Sequence, residues 1–154
     1  MLEFDMSDLG RMKHFHGIEV KQRSNGIFIC QRRYAQEVLA RFDMRGCNAV
    51  KNSIVSCTRL SMDVGGVRVD ETLFKQVVGS LMYLTVTRPD LMYVVSLISR
   101  FMSSPTMSHW LVAKIILRYL KGTTDIGILY NKGENNLRFT AFTNNDYARN
   151  LDDR

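Results

Sequence analysis

At 154 residues and 45% hydrophobic content, the chain can bury a core as one domain or two small ones, and its composition is that of a folded protein, with disorder not expected. No apolar run approaches the roughly 20 residues of a bilayer-spanning helix, and MLEFDMSDLG carries acids where a secretion signal is basic, so a soluble, intracellular protein without a membrane partner is expected. The formal charge of +6 is concentrated in residues 51–125, which hold 9 basic against 5 acidic groups, and an excess of this kind suits a phosphate backbone.

The opening residues show no long periodicity, and Ser7-Asp8-Leu9-Gly10 is turn-like. Phe15–Val20 and Gly26–Gln31 read as strands, and Arg23-Ser24-Asn25-Gly26 between them supplies the Asn-Gly pair of tight hairpins. From Arg33 to Phe42, Tyr34, Val38, Leu39 and Phe42 share one face of a short helix, with Gly46 beyond its end. Residues 47–70 are loop-like and include Gly65-Gly66.

The stretch from Phe74 to Asp90 has the strongest helical pattern. Val77, Val78, Leu81, Met82 and Leu84 recur at helical spacing after Phe74, and Asp70 and Thr72 stand where a side-chain oxygen caps the first turn. Pro89 is expected to end this helix, because the residue before a proline is pushed out of helical geometry. A second helix is predicted over Leu91–Met102 and is broken by Ser103-Ser104-Pro105-Thr106. A third is predicted over Trp110–Lys121, capped by Thr106 or Ser108 and stopped at Gly122. Its apolar stripe is Val112, Ile115, Ile116, Tyr119 and Leu120. Lys114, Arg118 and Lys121 stand at i, i+4 and i+7 on another face with no acid among them. Such a ridge can neutralise about three phosphates. Ile126–Tyr130 and Leu137–Thr143 read as a final hairpin around Lys132-Gly133-Glu134-Asn135, followed by Asp146, Asp152 and Asp153. That hairpin is expected to be mobile or to lean on the helices, since two strands alone are marginal in water.

Few residues form chemical constellations. Cys30, Cys47 and Cys57 share no metal-ligand spacing and are odd in number, so reduced thiols are expected. His14 and His16 would share one side of a strand, but two ligands make an incomplete metal site. Trp110 suits a core anchor better than a base-stacking platform.

Taken together, FHGIEV, GIFICQRRYAQEVL, VVGSLMYLTVTRPDL, SRFMSSPTMSHW, ILRYLKGT and NLDDR resemble, in order and spacing, the copia-type retrotransposon Pol polyprotein. The resembling region runs from the end of reverse transcriptase into ribonuclease H. It implies an α+β fold whose helical middle, thumb- and connection-like, is flanked by an N-terminal β-hairpin and a C-terminal ribonuclease-H-like β-hairpin. Residues 1–125 would be the reverse transcriptase part and 126–154 the truncated start of the ribonuclease-H-like domain. Phe15 and Gly17 would lie in the primer grip, the helices from Tyr34 and Phe74 in the thumb, and Trp110–Lys121 in the connection.

The departures from the family pattern concern the chemistry. A copia-type polymerase uses a Tyr-Val-Asp-Asp hairpin to organise two Mg²⁺ ions, and no aromatic-x-Asp-Asp occurs in this chain. Asp152-Asp153 matches the family's Leu-Asp-Asp-Arg instead. The position of the first ribonuclease H metal ligand is Asn144, and a neutral amide binds Mg²⁺ far more weakly than a carboxylate. His16 stands where the family has Leu, and Ile54 where it has Pro. The expectation is therefore a non-catalytic fragment derived from RNA-directed DNA polymerase, with no catalytic or metal residues, no small-molecule substrate, and Mg²⁺ required only by the full-length family enzyme. Its partner would be an RNA–DNA or DNA duplex held through backbone phosphates by Lys114, Arg118 and Lys121 with Phe15 and Gly17. The alternative is a sequence-independent duplex-binding module.

Overall fold

A computed structural model of the chain describes residues 10–54, 60–62 and 65–133. In chain order these form β1 (His14–Phe15), β2 (Ile18–Arg23), β3 (Gly26–Cys30), α1 (Arg32–Arg41), α2 (Glu71–Leu84), a short 3-10 turn (Pro89–Leu91), α3 (Met92–Ser99), α4 (Met107–Gly122) and β4 (Gly127–Asn131). The helices make the core. Val38 and Leu39 of α1, Phe74, Val78 and Leu81 of α2, Val94 and Ile98 of α3, and Ile116 and Leu120 of α4 belong to one buried cluster. Met82, expected on the buried face of α2, is exposed, and Ser80 is buried there instead. The Ser80 hydroxyl donates to the Gln76 carbonyl at 2.8 Å, which satisfies it locally. On α4 the buried face is turned toward Ala113 and Leu117, so Ile115 and Tyr119 lie at its edge.

Side-chain caps set where two of the helices start. Asp70 accepts hydrogen bonds from the amides of Thr72 and Leu73 at 2.8 and 3.1 Å, which satisfies two free donors of α2. Thr106 caps α4 with His109 in the reciprocal position. Because a backbone N–H can only donate, the Thr106 amide, 3.0 Å from His109 Nδ1, makes that nitrogen the acceptor. The ring proton is thereby assigned to Nε2, which donates to the Ser61 carbonyl at 3.2 Å. The imidazole is fully buried and stacks on Phe101 at 4.1 Å between centroids.

The segment between α2 and α3 is the mechanical centre of the fold. The helix ends at Leu84, well before Pro89, because Thr85 turns back to bond the Met82 carbonyl and the residues after it are drawn inward. Thr87 donates to Gln31 Oε1 at 2.9 Å, both side chains being buried. Arg88 is only 2% exposed. Its Nε and Nη2 grip the two oxygens of Asp90 at 2.9 and 2.7 Å. Its Nη1 and Nη2 donate to the carbonyl and hydroxyl of Thr123, just past α4, at 2.7 and 2.8 Å. Tyr119 donates to Asp90 at 2.9 Å, and its ring centroid lies 5.7 Å from the guanidinium carbon. Pro89 opens the 3-10 turn, where its missing N–H costs nothing.

Two expectations for the β segments are corrected. Phe15–Val20 is not one strand: His16 and Gly17 form a turn with φ of +45° and +77°, and β1 pairs with β2 across it. Both central residues of a tight hairpin loop of this kind need positive φ, which glycine adopts freely. His14 and His16 therefore do not share a strand face. The second correction concerns the two flanking β segments, which are one sheet. The strand expected at Ile126–Tyr130 is β4, and it pairs antiparallel with β3, giving the order β1-β2-β3-β4. Its expected partner, Leu137–Thr143, lies outside the described residues. A strand added to an existing hairpin gains paired backbone that an isolated hairpin lacks, and Ile128 and Tyr130 fall opposite Ile29 and Ile27. Close approach at this seam requires Gly26, since a Cβ there would run into the Tyr130 carbonyl oxygen. The hairpin loop itself is Ser24-Asn25, with Gly26 already in β3.

Replacing Asp90 with alanine leaves a buried guanidinium without its counter-charge, and a loss of about 3 kcal/mol is expected from denaturant unfolding. Lys75→Ala, at the exposed α2 pair with Glu71, should cost about 0.5 kcal/mol or less.

The same clamp sets a pH dependence. Burial pushes the Asp90 carboxyl up, but hydrogen bonds from Arg88 and Tyr119 and the guanidinium charge outweigh it and hold the group below its ordinary value. For Tyr119, burial and then the Asp90 carboxylate raise the phenol above its ordinary value, against a smaller opposing effect of Arg88. Asp90 thus contributes stability above about pH 4 that is lost as pH falls through its lower folded value. Tyr119 contributes below about pH 10, and that share is lost as pH rises beyond it. Urea midpoints across pH should show both declines in the native chain, with a shallower acid decline in Asp90→Ala and a shallower alkaline one in Tyr119→Phe.

Gly17→Ala should destabilise by about 1 kcal/mol through backbone strain alone, because an added Cβ meets the Tyr83 hydroxyl at an ordinary 3.6 Å. Faster amide exchange confined to β1 and β2 would register it.

Candidate nucleic-acid interface

The outer face of α4 carries the three expected cations, and each has a different environment. Lys114 is exposed, with its ammonium 5.5 Å from the Trp110 ring centroid. Trp110 itself is partly buried against the core. Arg118 is half-buried, and its Nε donates to the Asn48 carbonyl at 2.8 Å, which fixes the loop after α1 against α4. The Val50 amide bonds back to the Arg118 carbonyl at 3.4 Å. One guanidinium edge is therefore committed to the fold. Lys121 is exposed at the helix end and lines a cleft with Gln36, Leu39, Arg45 and Thr124.

Phe15 and Gly17 form a separate group. Phe15 is 55% exposed and meets His16 edge-to-face at 4.4 Å. The hairpin tip is held to α2, since the Tyr83 hydroxyl donates to the His16 carbonyl and Gly17 lies against the Tyr83 ring. The five expected contact residues thus fall in two places, one tied to α2 and one on α4.

Residues outside the expected set shape the α4 face. Arg45 and Gln36 come from α1 and the loop after it, and join Lys121 only through tertiary packing. No spacing along the chain relates them. Arg88 and Asp90, which fix the end of α4, do leave a signal in sequence: two opposite charges two residues apart around a proline, inside an otherwise apolar stretch.

Among the described residues, no three His, Cys, Asp or Glu side chains come together as a metal-binding set, and no helix is long and apolar enough to cross a membrane. Cys30 is a buried free thiol and Cys47 a half-buried one. Cys57, Asn144, Asp146, Asp152 and Asp153 lie outside the described residues.

Comparison with known proteins gives these features a context. Residues 1–56 match the family described as Reverse transcriptase (RNA-dependent DNA polymerase). The chain is 39% identical, over 97% of its length, to the Retrovirus-related Pol polyprotein from transposon RE2 of Arabidopsis thaliana, and covers 10% of that protein. It is 33% identical over 98% of its length to the Pol polyprotein from transposon TNT 1-94 of Nicotiana tabacum, covering 12% of it. An uncharacterized mitochondrial protein of Arabidopsis thaliana is 34% identical over 94% of this chain and 60% of its own length. No solved structure matches. The chain spans about a tenth of the length of the Pol polyproteins it matches. Near-complete coverage of this chain by those polyproteins, together with the reverse transcriptase match at residues 1–56, makes it a member of the copia-type retrotransposon Pol family.

Proposed function

We propose that this chain is a non-catalytic portion of a copia-type Pol polyprotein, supplying thumb- and connection-like elements that hold duplex beside a polymerase centre built from other residues. The observation that carries the reading is the outer face of α4. Lys114 and Lys121 are exposed there without ion-pair partners among the described residues, Arg118 stands between them, and no acid of α4 interrupts the series. A face like this attracts the phosphate backbone without reading bases. The helix presenting it is held at its C-terminal end by the Arg88 clamp, so its charges stand on a fixed support. Residues after β4 would belong to the start of a ribonuclease-H-like domain, with Asn144 in place of its first metal ligand.

The reading has two measurable sides. In an electrophoretic shift titration the chain should retain a short RNA–DNA hybrid at low salt. The slope of log affinity against log salt should fall by roughly two in the Lys114→Ala, Arg118→Ala double variant, about one for each lost phosphate contact. In primer extension with Mg²⁺ and all four deoxynucleotides, the chain alone should add no nucleotide. Failure to bind duplex at low salt would remove the holding role, and Mg²⁺-dependent extension would overturn the non-catalytic one.

A further inference from the structure

We infer that the cleft between the C-terminal ends of α1 and α4 is a discrete binding site for a phosphate group. The inference deepens the duplex-holding reading and rests on it only for the source of the phosphate. The cleft, of about 270 Å³, is lined by Gln36, Leu39, Arg45, Lys121 and Thr124. That is below the roughly 300–1,000 Å³ of pockets that enclose drug-sized ligands, and it suits a small anion with part of its substituent.

The charge of the cleft is unspent. Arg45 and Lys121 are brought together from distant parts of the chain, and among the described residues no Asp or Glu lines the cleft with them. Among the described residues, neither side chain has an ion-pair partner or a hydrogen-bond partner. A cation in the last turn of a helix ordinarily serves to offset the carbonyl end of the dipole. At α4 other groups already share that role: Arg88 donates to the Thr123 carbonyl at 2.7 Å, the Thr123 hydroxyl donates to Tyr119 O at 2.8 Å, and the Thr123 amide to Leu120 O at 3.1 Å. Lys121 is exposed and lines the cleft with Arg45, and two like charges at one cleft repel each other unless an anion lies between them.

The donor set matches phosphate. A guanidinium offers a planar fork to two oxygens, an ammonium acts as a point charge, and the Gln36 amide and Thr124 hydroxyl add neutral donors. Leu39, buried in the core cluster, closes the cleft with an apolar wall that limits hydration of the bound group. Two cations balance the charge of roughly −1.5 to −2 on a terminal phosphate better than the single charge of an internal diester. The cleft is therefore assigned to a phosphate monoester at a strand end.

The test is an NMR titration of the folded chain with inorganic phosphate, following amide signals. Saturable shifts at Arg45, Lys121 and Thr124 are expected, weakened at least tenfold in Arg45→Ala, Lys121→Ala and unchanged in Lys75→Ala. Shifts that are absent, or that persist in the double variant, would overturn the site. Competition with 5′-phosphorylated and 5′-hydroxyl oligonucleotides of one sequence then separates the sources. Displacement of phosphate by the phosphorylated strand alone supports the terminal group, and equal displacement by both would replace it with internal diesters. A chain that binds phosphate but no duplex would count against the holding role and leave the cleft standing.

Discussion

Burial of Arg88 is the constraint on which the helical architecture depends. A guanidinium taken out of water costs several kcal/mol unless its hydrogen bonds and charge are met. Here Asp90 and Thr123 meet them, and Tyr119 completes the carboxylate's own shell. The partners come from three places: the turn itself, the last turn of α4 and the residue after it. The clamp can close only when α2, α3 and α4 are packed in their native arrangement. Thr87, bonded to Gln31, ties the same turn to the start of α1. Hydrophobic packing supplies most of the stabilisation, but it is non-directional; the clamp adds geometry, fixing which residue of α4 meets which residue of the turn.

That geometry has a functional consequence through α4. Because Arg88 bonds Thr123 just past this helix, a buried cation already stands at its end, and Lys121 is exposed beside it. Arg118 is divided between the fold and the surface, bonding Asn48 with one edge. Of the three ridge cations, one is thus half structural, one stacks by Trp110, and one opens onto a cleft shared with Arg45. A row of equivalent charges on a helical wheel becomes three distinct electrostatic environments.

How much of this was legible in the sequence depends on the range of the interaction. Helices with a clear apolar period and a local cap, such as α2 behind Asp70 and α4 behind Thr106, can be read directly, because both signals lie within a few residues. The end of α2 cannot be placed from Pro89 alone, since the helix stops where Thr87 and Arg88 are pulled toward partners dozens of residues away. The turn at His16-Gly17 was masked by flanking strand-forming residues, with a single glycine as its marker. The addition of β4 to β3 is a non-local pairing, and a strand's sequence does not say which edge it will join. For the site, Lys114, Arg118 and Lys121 were visible as a helical series, whereas Arg45, Gln36 and Thr124 are neighbours only after α1 and α4 pack.

In the proposed role, duplex meets this chain on the face made by α4 and the loop after α1, as a support and not as a centre of chemistry. Amide hydrogen exchange of the chain with and without a short RNA–DNA hybrid tests it most directly. Slower exchange at residues 45–50 and 114–124, with β2 and β3 unchanged, is the predicted footprint. A footprint confined to the sheet, or no change on either element at a duplex concentration that saturates binding, would contradict it.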